Sequence, residues 1–214
     1  MRTARIDTRT IGARLARHRS SVRGDWMFGE RLRHRGPFRP ASVLLLLRDG
    51  PDGAEMLLTK RSATLTLHPG DIAFPGGQAD PTDTDAVDTA LRETEEEVGV
   101  PRRHITVLGR LDAYEGAIGF RLDPIVATAP ADVSLAPHDG EVAAVAWVAL
   151  RDLASRLGVI DVPWRDGGTR RSHAIPVPAF GPDAIMWGMT AGIAVALLET
   201  LGMASAPAAP ATAG

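Results

Sequence analysis

The chain has 214 residues, 44% of them hydrophobic, and a formal net charge of −2. That suits one globular domain with a sizeable core and gives no global attraction to nucleic acid or to an anionic membrane. The absence of cysteine excludes a disulfide framework, a thiolate zinc site and a cysteine nucleophile.

Residues 1–39 are rich in Arg and poor in acids, with Ile11 and Leu15 at helical spacing. They are read as a basic segment whose helix caps the domain. An organelle transit segment and a nucleic-acid-binding arm are the alternatives, the latter weakened because few aromatics, such as Trp26 and Phe28, are interleaved with the basic residues. Residues 40–203 form the expected domain, and the Ala/Pro-rich residues 204–214 the expected disordered tail. Residues 41–47, 55–60, 105–114, 120–127 and 142–150 read as strands, and 86–98, 150–157 and 190–201 as helices. Strands and helices mix without regular βαβ repetition, so the expected fold class is α/β (α+β), a sandwich with a mixed sheet. No run of about 18 apolar residues is present and no secretory core follows the start, so a cytoplasmic protein without a membrane partner is expected.

The stretch from Gly76 to Val100 carries the chemistry. A short apolar strand, 71–74, ends in Pro75-Gly76-Gly77, followed by a polar Asp/Thr/Pro loop and a helix that Thr84 or Asp85 can cap. At about 100° per residue, Glu93, Glu96 and Glu97 share a narrow arc, opposite Val87, Leu91, Thr94 and Val98. Gly99 and Pro101 stop the helix, so these acids sit in its last turns, where the macrodipole disfavours negative charge by roughly 0.3–1 kcal/mol each. Arg92 can reach Glu96 at i,i+4, but one cation does not neutralise three anions, whereas a divalent ion with oxygen ligands would. Glycine permits close backbone approach, so a carbonyl at Gly76 or Gly77 can join Glu93, Glu96 and Glu97 as a ligand. A solvated acidic helix face and an ordinary Gly-Gly turn are the competing readings.

Arg92-Glu93-x-x-Glu96-Glu97-x-Gly99-Val100 resembles the signature of the Nudix hydrolases. Phe74 to Pro81, Thr89 to Glu93, and Leu57-Leu-Thr-Lys-Arg-Ser62 with Gly70 further resemble that family's coenzyme A diphosphatase branch. Thr66 stands where that branch has Arg, and Thr94 where the signature is apolar. The resemblance implies a Nudix-type α/β/α sandwich that hydrolyses a phosphoanhydride with Mg²⁺ or Mn²⁺ held by Glu93, Glu96 and Glu97. Coenzyme A or acyl-coenzyme A is the implied substrate. ADP-ribose or a dinucleotide is the alternative, and a catalytically silent binding module is the alternative of another class. A later acid, Glu141, is a candidate general base, competing with a plain loop carboxylate; Arg92 is expected to hold a glutamate and the loop in position. Lys60, Arg61 and His68 are candidate phosphate contacts against a solvated strand end or a loop brace, and Tyr114 and Trp187 are base-stacking candidates against core packing. A small nucleotide is the expected partner and a homodimer is compatible with the resemblance; nucleic acid is not expected.

Overall fold

The computed structural model describes residues 6–24, 36–115, 119–163 and 167–204. Trp26, Phe28 and the tail from 205 onward lie outside the described residues. A nine-stranded mixed sheet is built around β2 (Arg39–Gly50), whose leucines 44–47 are all buried. Such a run without polar alternation marks a strand covered on both faces. Leu45 and Leu47 enter one apolar cluster and Leu44 and Leu46 the other, as the two-residue side-chain period requires. β3 (Gly53–Arg61) pairs antiparallel with β2, whereas β8 (Phe120–Thr128) runs parallel to it, which makes the sheet mixed.

One cluster lies beneath α2 (Ala86–Val98), with Ala90 and Val98 packed on Leu44, Leu57 and Ile125. The other holds α1 (Thr8–Leu15), α3 (Leu150–Ser155) and α4 (Gly188–Thr200), including Ile11, Leu15, Leu153 and Leu197. This is the expected α/β/α sandwich. α1 starts at Asp7, which caps Thr10 N–H at 2.8 Å, and Arg14 of α1 donates to the carbonyl of Leu201 beyond α4. Among the described residues, no helix is long and apolar enough to cross a membrane.

Several boundaries differ from the sequence expectation. The strand expected over 105–114 is two strands, β6 (Thr106–Arg110) and β7 (Ala113–Glu115). They separate because Asp112 accepts a bond from Ser21 N–H at 2.7 Å and faces His18, anchoring β1 (Val22–Gly24) parallel to β7. α3 ends two residues before the expected 157, and α4 begins two before the expected 190. Unexpected altogether is a second, three-stranded sheet of β10 (Gly158–Pro163), β11 (Thr169–Pro176) and β12 (Ile185–Trp187). The remaining strands of the large sheet are β4 (Ile72–Ala73), β5 (Gly76–Gln78) and β9 (Val142–Ala149).

Candidate active site

α2 is delimited by its own residues. Asp85 accepts from the N–H groups of Val87 and Asp88 at 2.8 and 2.9 Å, and Gly99 ends the helix at φ 69°. Thr89, Ala90, Thr94, Glu97 and Val98 are its buried residues, while Val87 and Leu91 are only partly buried, so the dry face is rotated toward Glu97.

β5 lies against the end of this helix and is built from glycines for steric reasons. Gly76 adopts φ 153°, and a Cβ there would collide with the carbonyl oxygen of Ser42. A Cβ on Gly77 would stand 2.5 Å from the carboxyl carbon of Glu93. The approach lets Gly76 N–H donate to Glu97 Oε2 at 3.2 Å. Glu97 is 7% exposed, and burial, reinforced by the charges of Glu93 and Glu141 and opposed by Gly76 N–H and Arg61, pushes its carboxyl up to about 7. Burial also raises Glu93, against Arg92 and with the charges of Glu96 and Glu141.

Arg92 ties three segments together. Its Nε and Nη2 grip Asp83 with both bonds at 2.9 Å, Nη2 also reaches the Gln78 carbonyl at 3.0 Å, and Nη1 bridges Glu93 and Glu96 at 2.9 Å each. Those bonds, with help from Thr89, hold the Asp83 carboxyl well below the usual range. Asp80, Asp83 and Asp85 thus build the loop and the cap: Asp80 receives Thr82, and Asp83 receives Asp80 N–H.

The other candidates divide. Arg61 faces the glutamates, and its buried Nε makes no hydrogen bond. Glu141 immediately precedes β9, its carbonyl takes Ser62 N–H at 2.8 Å, and its charge is felt by both Glu93 and Glu97. Lys60 turns the other way, its ammonium 3.4 Å from the Phe180 carbonyl. His68 is exposed, sits at φ 55° and pairs with Asp71 at 2.9 Å. Tyr114 is core, 4% exposed with its hydroxyl 3.3 Å from the Gly192 carbonyl. Trp187 lines a cavity described below.

Among the described residues, no three His, Asp or Glu groups are already gathered around a common point. Glu97 turns to Gly76, while Glu93 and Glu96 share Arg92. The donor set nonetheless fits a hard divalent cation: every candidate ligand is an oxygen, and two of the carboxyls are raised by burial and by neighbouring charge that such an ion would relieve.

The NUDIX domain model matches residues 37–165, from the start of β2 to just past β10, and the chain belongs to the Nudix hydrolases, a family acting on small nucleotide substrates with divalent metal ions. Its relatives include the protein described as "Uncharacterized Nudix hydrolase NudL" in Cronobacter sakazakii, 39% identical over 155 residues, or 72% of this chain and 79% of that one. A protein of the same description in Yersinia pestis is 36% identical over 72% of this chain and 76% of its own length. Among solved structures, an Ap4A hydrolase of C. elegans in a binary complex aligns with 55% of this chain and 84% of its own, at 22% identity and a TM-score of 0.46.

Proposed function

We propose that this hydrolase cleaves the phosphoanhydride of coenzyme A or acyl-coenzyme A, giving 3′,5′-ADP and 4′-phosphopantetheine or its acyl form. The observation that carries the chemistry is the placement of Glu97, buried under Gly76 N–H, flanked by Glu93 and Glu141 and faced by an Arg61 whose Nε has no partner. The choice of coenzyme A rests on the resemblance of residues 57–62, Gly70 and 74–81 to the diphosphatase branch.

Glu93, Glu96, Glu97 and the Gly77 carbonyl would hold Mg²⁺ or Mn²⁺. When bound, the ion neutralises phosphate oxygens and acidifies water. Arg61 offers its guanidinium to a phosphate oxygen, a charge-assisted bond that its buried Nε otherwise lacks. A water attacks one phosphorus, the bridging oxygen leaves with the other product, and the water's proton passes to a carboxylate. Glu141 and Glu97 are the candidates for that base, since each lies among the acids that would surround the substrate. Arg92 fixes Glu93, Glu96 and the loop in place while staying off the reacting atoms.

One observation favours a second substrate. Thr66 is exposed on the loop between β3 and β4, so the Arg of the resembled branch is missing where it could reach a ligand; ADP-ribose or a dinucleotide is the resulting alternative. The purified protein, given Mg²⁺ and then Mn²⁺, should be offered coenzyme A, ADP-ribose, reduced NAD and diadenosine polyphosphates, with products identified by mass. Preferential release of 4′-phosphopantetheine supports the proposal, preference for another compound reassigns the pocket, and no turnover of any leaves a silent binding module.

A further inference from the structure

The second sheet and the end of β3 flank an open cavity of about 650 Å³, within the usual size range of small-molecule sites. Lys60, Asp71 and Ile72 form one wall; β10, the Phe180–Ala184 turn and Trp187 form the other. The catalytic glutamates take no part in it. Lys60 and Arg61 are chain neighbours, about 3.8 Å apart at Cα, yet successive strand side chains point to opposite faces. Lys60 lines the cavity, whereas the charge of Arg61 acts on Glu97, the pairing with β9 shifting register between the two. At the other corner, Gly76 at Glu97 lies four positions along the chain from Ile72 in the cavity wall, a span of at most about 14 Å. A single elongated substrate can occupy both places.

The lining decides which half of such a substrate enters. Ile72, Ile160, Phe180 and Trp187 give apolar and aromatic surface. The charged groups at the rim are Asp71, Asp161 and Asp183 against Lys60. Asp71 faces His68 at 2.9 Å and Asp161 faces Arg171 at 3.7 Å, while Lys60 is already directed to a backbone carbonyl. Among the described lining residues there is neither an excess of positive charge nor an Arg fork, and these are what a phosphate requires. A neutral chain with amide groups meets apolar walls and acceptor oxygens.

We infer that this cavity binds the uncharged, amide-bearing organic arm of the substrate and excludes its nucleotide half. Applied to the function proposed above, on which this assignment of the arm rests, the arm is pantetheine, and the cavity selects for it.

The test uses the full chain, pantetheine as the probe, and two variants on β10. Ile160→Trp fills the cavity, whereas Val159→Trp adds the same ring to an outward-facing, 41% exposed position that does not line it. Calorimetry should show pantetheine binding to the wild type and to V159W, weakened at least about tenfold in I160W, and undisturbed by added 3′,5′-ADP. KM for coenzyme A should rise by about the same factor in I160W alone. Cleavage of coenzyme A with equal KM in all three proteins and no pantetheine binding overturns the cavity assignment and leaves the proposed function standing. Displacement of pantetheine by 3′,5′-ADP overturns it as well. If the wild type ignores coenzyme A while I160W still abolishes pantetheine binding, the proposed function falls and the cavity's ligand class stands; if pantetheine does not bind and coenzyme A is not cleaved, both fall.

Discussion

α2 and α4 are each 13 residues long and belong to the two different apolar clusters, α2 lying on the large sheet and α4 chiefly on β11 and β12, yet they end in opposite ways. α4 is buried for most of its length and has no side-chain cap at its start. At its far end the orphan carbonyl of Leu201 receives the guanidinium of Arg14, the sign of charge a helix C-terminus favours. α2 is capped by Asp85 and stopped by Gly99, but its last turn has no basic residue and ends on Glu95, Glu96 and Glu97. The first helix is accounted for by burial. In the second, Arg92 answers Glu93 and Glu96 and Arg102 reaches Glu95 at 3.6 Å, while among the described residues Glu97 is left with the Gly76 N–H and the charge of Arg61 against its burial. A carboxyl kept buried and raised at a steric cradle of glycines is what sets this helix end apart.

The contrast breaks first at Glu97. Glu97→Gln should lower kcat by roughly 10²–10⁴-fold, the range for removing a proton-transfer group, while thermal unfolding shows a fold at least as stable because a buried charge is gone. Full activity in this variant would reduce α2 to a scaffold like α4. On α4 the effect should reverse: Leu197→Ala should cost about 2–5 kcal/mol in urea unfolding and leave the turnover of the folded fraction in place. Arg14→Ala, which strips the Leu201 carbonyl of its partner, should cost about 1–3 kcal/mol; an unchanged unfolding midpoint would mean α4 needs no answer to its dipole.

The smallest expected effect concerns pH. Glu97 has a folded-state value raised above that of the unfolded chain, so the stabilisation linked to its proton is complete below the ordinary carboxylate range and is lost as pH climbs through about 7. The rise in Tm on adding Mg²⁺ should therefore widen from acid toward neutral pH, and Glu97→Gln should flatten that trend. An equal rise at every pH would show that the cation does not act on Glu97.

α2 was legible because everything defining it is local: Asp85, the 3.6-residue period, Arg92 to Glu96 and Gly99 all lie within one short stretch. The buried leucines of β2 were legible for the same reason. Asp112 was not, because the Ser21 N–H that makes it break a strand lies 91 residues away. β10 carries the β-branched Val159, Ile160 and Val162, a strand signal available in the sequence but obscured by Pro163 and by the run Arg170-Arg171-Ser172-His173 in its partner β11. His173 ends up 5% exposed in that sheet, with burial lowering its imidazole, which no local pattern announces. Lys60 and Arg61 were grouped as two phosphate contacts, although adjacent residues of a strand face apart.

That parity bears on how such a chain can change over generations. Inserting one residue between Thr59 and Lys60 would exchange the two cations, handing the ammonium to the glutamates and the guanidinium to the chamber behind the second sheet, whereas deleting Lys60 would leave the chamber to Arg61 and the glutamates without a cation. An insertion there would thus move both cations at once, while the largely exposed loop of residues 63–69 that follows β3 can lengthen or shorten without crossing those wires.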